Sequence, residues 1–134
     1  MIIIAIDFGT SKIGLAVGQK ITKTINLIKP IIFHKNIINW MKIKKVIHEW
    51  KPTSIVIGLP LKMNGKKQKT THKAENFSKK IYKKFNIKTY MHDERLTTFE
   101  AKLIIKKNKN FKKKIKYIDS ISAALILKSW FLNT

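Results

Sequence analysis

Acidic residues are scarce in this chain, seven against 29 basic ones in 134 residues. Three places among them could do chemistry together. Asp7 closes the apolar run from Met1 to Ile6, Asp93 and Glu94 follow the segment Ile87 to His92, and Asp119 precedes the apolar stretch near the end. Carboxylates from three separate elements, gathered at one end of a sheet, make an oxygen-rich site suited to Mg²⁺ or Mn²⁺. Such an ion activates water and stabilises the leaving oxygen in phosphodiester cleavage. Each acid also has a purely architectural reading. Asp7 could form an Asx-turn after its strand, Asp119 could cap a helix N-terminus, and Asp93 and Glu94 could pair with Arg95. A carboxylate buried beside a core strand costs several kcal/mol unless something pairs with it, which favours a shared site.

The elements that would position these acids are legible from periodicity. Met1 to Ile6 lacks polar alternation and reads as a strand buried on both faces. At its carboxyl end lie Gly9, Thr10 and Ser11, a tight turn with two hydroxyls. Lys12 to Gln19 is expected to return as a second strand, with Gly14 and Gly18 marking a bulge or close backbone approach. Ile21 to Phe33 reads as a third strand, interrupted or ended by Pro30. Trp40, Ile43, Val46, Ile47 and Trp50 have helical spacing over Asn39 to Trp50, and Pro52 ends that helix. Ser54 to Gly58 is a short apolar strand, parallel to the first, followed by a polar loop with an Asn64-Gly65 turn. Thr71 to Phe85 is an amphipathic helix with Ala74, Phe77, Ile81 and Phe85 as its stripe. Ile87 to His92 is the last strand. Thr97 to Glu100 has the pattern of a capping box, which gives Glu100 a structural role. The final helix starts at Asp119-Ser120 and runs through Phe131, apolar on most sides. The helix opened by Thr97 is expected to run to about Lys107, and the order βββ-α-β-α-β-α(-α) predicts an α/β, RNase H-like fold. It has a mixed five-stranded sheet, three antiparallel strands then two parallel ones, with helices on both faces. Residues 1–134 are expected to form a single RNase H-like nuclease domain.

The net charge of +22 points to polyanionic partners, nucleic acid above all. Arg95 is the only arginine, and an AT-rich genome produces the same lysine excess by codon drift, so charge alone marks tolerance of polyanions. The absence of cysteine excludes disulfides and thiolate metal sites. His34, His48, His72 and His92 have no metal-ligand spacing. No membrane-spanning stretch or signal peptide is expected.

Taken in order, Asp7-Phe-Gly-Thr with Ile13-Gly-Leu-Ala-Val17, Gly58-Leu-Pro-Leu61 with Asn64-Gly65, His92-Asp-Glu-Arg-Leu-Thr-Thr98 with Glu100-Ala101, and Asp119-Ser with Ser129-Trp130 resemble the YqgF/RuvX family. This family comprises the Holliday-junction-resolvase-like proteins also called pre-16S rRNA nucleases. The resemblance spans nearly the whole chain, and the Asp-Glu-Arg-Leu-Thr-Thr stretch is its most specific part. It implies an RNase H-like fold, a metal-dependent nuclease (Mg²⁺ or Mn²⁺) maturing the 5′ end of 16S rRNA, and a cytoplasmic location. Carried over by position, the catalytic and metal-binding acids are Asp7, Glu94 and Asp119. In related resolvases an acid ends the fourth strand, where this chain has Gly58-Leu59-Pro60. The fifth strand lies about 10 Å from the first, a gap that Glu94 spans better than the shorter Asp93, the second choice.

Further roles follow at the site's edge. Arg95 either grips a phosphate or orients the adjacent carboxylates. Thr10, Ser11 and Asn64 line the substrate path. Lys106, Lys107, Lys112 and Lys113 contact backbone phosphates, with Phe111 among them as a base-stacking residue or a loop anchor. The partners are RNA, as pre-16S rRNA or a pre-ribosomal particle, and branched DNA if the chain is instead a Holliday-junction resolvase. A non-catalytic RNA-binding ribosome assembly factor fits the same basic surface. An actin-like ATPase shares the Asp7-Phe-Gly-Thr pattern but needs a second phosphate-loop domain, for which 134 residues leave no room.

Overall fold

The computed structural model describes residues 1–97 and 115–134, with side chains from Tyr117 onward in the second segment. Five strands form one sheet: β1 (Ile3–Phe8), β2 (Lys12–Gln19), β3 (Thr24–Ile32), β4 (Ser54–Leu59) and β5 (Lys88–Asp93), in the order β3-β2-β1-β4-β5. The β1–β2 and β2–β3 pairs are antiparallel, whereas β1–β4 and β4–β5 are parallel. The expected mixed sheet is therefore present, with β1 at its centre. Helices α1 (Trp40–Trp50), α2 (Lys69–Phe85) and α3 (Ile121–Asn133) complete the described elements.

Strand alternation divides the core. Ile4 and Ile6 of β1, with Ile13, Leu15, Ile55 and Ile57, face α1 and α2 and meet Ile43, Phe77 and Ile81. Ala5, Ala16 and Val56 point the other way, onto Ala123, Ala124, Ile126 and Leu127 of α3. The second face is built of small residues, so α3 approaches the sheet closely. A Cβ on Gly18 would stand 3.2 Å from Leu127 Cδ2.

Two local features refine the sequence expectation, and a third falls mostly outside the described residues. Of the two expected outcomes, Pro30 interrupts β3 and does not end it. It falls inside the strand where the register shifts between Ile13 and Leu15, so the missing N–H is absorbed by a bulge on an edge strand. The last helix does not begin at Asp119. Ile115–Ser120 forms a 3₁₀ segment, kinked at Tyr117, and Ser120 is the N-cap of α3. The capping box expected at Thr97 to Glu100, with the helix it opens, lies mostly outside the described residues. Thr97 itself closes a 3₁₀ turn over Glu94–Leu96, donating its N–H to the Glu94 carbonyl at 3.2 Å. By contrast, α1 ends as expected, with Lys51 left-handed (φ 46°) just before Pro52, and starts with the Asn39 side chain accepting from Lys42 N–H.

Candidate active site

Residues alternate along β1, so Asp7 lies on the α3 side together with Ala5. Its antiparallel partner across β2 is Gly14. On the other side the parallel register pairs Ile6 with Ile57, and its continuation sets Gly58 beside Asp7. His92 is the next residue in the row, opposite Gly58. Asp7 is thus flanked by two glycines, and each leaves room for one other element.

Over Gly58 lies the side chain of Glu94. A Cβ on Gly58 would sit 3.1 Å from Glu94 Cγ and Cδ, and 2.6 Å from Ile126 Cδ1. The gap that the fifth strand leaves is closed this way, by a long side chain crossing a residue that has none. Over Gly14 lies the backbone of Asp119, whose carbonyl oxygen would be 2.3 Å from a Cβ there. The bulge in β2 and β3 fixes this second approach. The Ser120 hydroxyl accepts from Leu15 N–H at 3.1 Å and donates to the Ile28 carbonyl at 2.6 Å, bridging two strands where their register shifts. Ser120 is fully buried. In the sequence it stands out only as part of a motif, although a hydroxyl beside a helix start in an apolar context signals such a bond.

The electrostatics of the two central acids follow from this packing. Burial raises the Asp7 carboxyl above its ordinary range. Glu94 is pushed up to about 7, first by burial, then by repulsion from Asp7 and Asp93. Among the described residues neither carboxylate has a side-chain hydrogen bond or cationic partner. Asp93 behaves differently. Arg95 grips it through Nε (3.1 and 3.0 Å to its two oxygens) and Nη2 (2.7 Å), and the Arg95 backbone N–H donates at 2.9 Å. These bonds hold Asp93 below the usual carboxylate range. The same guanidinium donates through Nη1 to the Met63 carbonyl at 3.3 Å and packs on Gly65, where φ is +86°. Arg95 therefore holds the Asp93 carboxylate and docks the 61–67 loop. Asn64 helps close that loop, its side-chain oxygen accepting from Lys66 N–H at 3.0 Å.

Beneath the Glu94 turn, His92 and Ser129 join β5 to α3. The Ser129 hydroxyl donates to the Leu96 carbonyl at 2.9 Å and lies 2.8 Å from His92 Nε2. Since its hydrogen is committed to Leu96, Ser129 accepts from an Nε2–H tautomer of His92. Burial depresses the His92 pKa and keeps the ring neutral.

The structure brings Asp7 and Glu94 together and stations Asp119 beside them by its backbone. The Asp119 carboxylate itself is 3.4 Å from Lys12 Nζ, and both side chains are more than two-fifths exposed. Such a pair contributes at most about 1 kcal/mol. No three His, Asp or Glu side chains lie close enough to hold a metal ion among the described residues. Two carboxylates with no competing cation nonetheless suit Mg²⁺, which keeps several waters and commonly takes one or two protein carboxylates plus substrate oxygens. Thr10 and Ser11 are exposed in the β1–β2 turn, beside the same sheet end. Lys106, Lys107, Phe111, Lys112 and Lys113 lie outside the described residues. No described helix is long and apolar enough to cross a membrane.

The sheet order and the carboxylate-bearing end of β1 define an RNase H-like fold. Its solved neighbours include two resolvases: a fowlpox virus Holliday junction resolvase (TM-score 0.60, 18% identity, 99% of each chain covered) and T. thermophilus RuvC with a Holliday junction substrate (TM-score 0.57, 12% identity, 96% of this chain and 92% of that one). At the level of sequence, residues 1–133 match the family model described as "RuvX: Holliday junction resolvase", and the chain belongs to that family. Relatives named "Putative pre-16S rRNA nuclease" include one from Buchnera aphidicola subsp. Baizongia pistaciae, 50% identical over 98% of this chain and 97% of its own length. Another, from Haemophilus ducreyi, is 48% identical over 98% and 96%.

Proposed function

We propose that this protein is a phosphodiester-cleaving hydrolase, a divalent-metal-dependent nuclease that processes the 5′ end of the 16S rRNA precursor as a single RNase H-like domain. The observation that carries this reading is the pair Asp7 and Glu94. These half-buried carboxylates, one on β1 and one in the turn after β5, repel one another at the carboxyl end of the central strand, with no cation to offset them among the described residues. A protein keeps such an arrangement where a ligand supplies the missing charge. The names of relatives near 50% identity support pre-16S rRNA as the substrate.

Asp7 and Glu94 would hold the ion, Mg²⁺ or Mn²⁺, with Asp119 completing the set once it leaves Lys12. When bound, the metal polarises the attacking water and stabilises the leaving oxygen, in the two-metal manner if a second ion joins. Asp93 and Arg95 keep the Glu94 turn in place. Glu94, with a pKa near neutrality, exchanges a proton easily on ion binding. Thr10, Ser11 and the Asn64 loop border the entering strand, and the lysines of 106–113 add phosphate contacts.

The test is cleavage of a precursor transcript by purified protein with Mg²⁺ or Mn²⁺. Activity in the native chain and a loss of at least about a hundredfold in Asp7→Asn are expected; equal activity in both would reject the reading. A second reading, cleavage of branched DNA, is favoured by the family model's description. Preference for a four-way junction over the transcript would select it. Absence of both activities, with RNA binding retained, would leave an assembly factor.

A further inference from the structure

On the other face of β1, directly behind the acids, is a cavity of about 210 Å³ that the nuclease reading does not use. Phe8 follows Asp7, so its side chain emerges on the opposite side of the sheet. Its ring is stacked between Phe77 (centroids 4.4 Å apart, planes at 19°) and Phe33 (6.0 Å, 14°). Trp40 continues the stack beyond Phe77 at 5.6 Å and 18°. Phe33 and Phe77 are buried, but Phe8 is only half-buried and lines the cavity.

The rim has a different chemistry. Two exposed amides, Asn36 and Asn76, stand over the aromatic floor. Lys73 and Lys80 flank Asn76 on α2, two turns apart and on one side of the helix. No acidic residue lines the cavity, and neither lysine is ion-paired among the described residues. The remaining wall is Gly9 and Thr10, the turn that also borders Asp7.

We infer that this cavity is a nucleotide subsite. One base enters against Phe8, the Asn36 and Asn76 amides meet its edge, and its phosphate lies on Lys73 and Lys80. With its faces covered by Phe77 and Phe33, Phe8 presents its edge to the cavity, and an edge-to-face contact is open to any base. An amide presents both a donor and an acceptor, as a base edge requires. The volume is that of about seven waters, the size class of a single base rather than a base pair. The position deepens the nuclease reading and rests on it. A strand crossing the end of β1 at Gly9–Thr10 would set a phosphate on the Asp7 side and a neighbouring base on the Phe8 side. The ligand is therefore an unpaired nucleotide of the RNA strand; a free nucleotide shares the same chemistry.

The experiment is NMR titration of the full-length Asp7→Asn chain without divalent ions, using a single-stranded pentauridylate, AMP and inorganic phosphate as separate probes. The pentauridylate is expected to shift the backbone amides of Thr10, Asn36 and Asn76. Its affinity should fall roughly tenfold in Lys73→Gln/Lys80→Gln. A control of equal charge change, Lys20→Gln/Lys23→Gln at the far end of the sheet, should lose much less. Phe8→Leu, which keeps apolar volume without the ring, should weaken both base-bearing probes and leave phosphate unchanged. Unshifted pocket amides, or equal losses in the two double variants, would overturn the subsite. AMP binding as tightly as the pentanucleotide would overturn its assignment to a strand. The readout needs no cleavage, so a chain that binds here and never cuts loses only the nuclease reading, and one that cuts without binding here loses only the subsite.

Discussion

Glu94 reaches Asp7 across the backbone of Gly58. The two acids come from β1 and the end of β5, with β4 between them, and the crossing is possible only where the intervening residue lacks a side chain. Gly58 thus supplies the space that the crossing needs. Gly58→Val places atoms where Glu94 and Ile126 now lie. It is expected to cost about 1–3 kcal/mol by overpacking and to displace Glu94 from the pair. Chemical denaturation measures the first effect. Divalent-ion affinity, lost beyond what the stability change explains, measures the second.

The raised Glu94 pKa makes stability depend on pH in a stated direction. Its value in the folded chain, about 7, lies above the ordinary 4.5, so the folded state binds the extra proton between these values. Its contribution is fully present below pH 4.5 and is lost as pH rises through 7. Asp7 is shifted in the same sense. Melting temperature in chelator should therefore fall over this window in the native chain, and fall less in Glu94→Gln. Added Mg²⁺ should raise it more at pH 8 than at pH 5.

Ser129 holds the floor of the site. Replacing it with alanine strands His92 Nε2–H in a buried place and removes the donor to the part-buried Leu96 carbonyl. Unfolding experiments on Ser129→Ala should show a loss of about 1–3 kcal/mol. Ser129→Thr retains the hydroxyl and should recover part of it.

Arg95→Lys keeps the charge and removes the fork. Asp93 would lose its paired bonds, and the 61–67 loop would lose its anchor at Met63. Because the Arg95 head group is solvent-exposed, stability should change little. Turnover should nevertheless fall roughly ten- to a hundredfold through misplacement of Glu94. Kinetics at saturating metal separate this from weakened ion binding.

Much of this was legible in the chain. The apolar run before Asp7 identified a central strand because a strand buried on both faces needs no polar alternation. The boundaries of β2 read directly from Lys12 and Gln19. Gly14 suggested a bulge or a close approach, and both are present. What stayed hidden depended on tertiary pairing. Whether Asp93 or Glu94 takes Arg95 is decided by which side of the chain each falls on after β5. The start of α3 shifted because Ser120 is drawn to the Leu15 N–H that the bulge releases. The Asp119 carboxylate faces Lys12, a contact between residues 107 positions apart that no local pattern encodes. The cavity behind β1 likewise needs Phe8, Phe33 and Phe77 to meet from three elements.

The most direct measurement is a crystal structure with Mn²⁺, its position fixed by anomalous scattering. The account predicts an ion within coordination distance of both Asp7 and Glu94 oxygens, in range of Asp119, and absent from Asp7→Asn crystals. Manganese bound elsewhere on the surface, with Asp7 and Glu94 still uncoordinated at saturating concentration and pH 8, would contradict it.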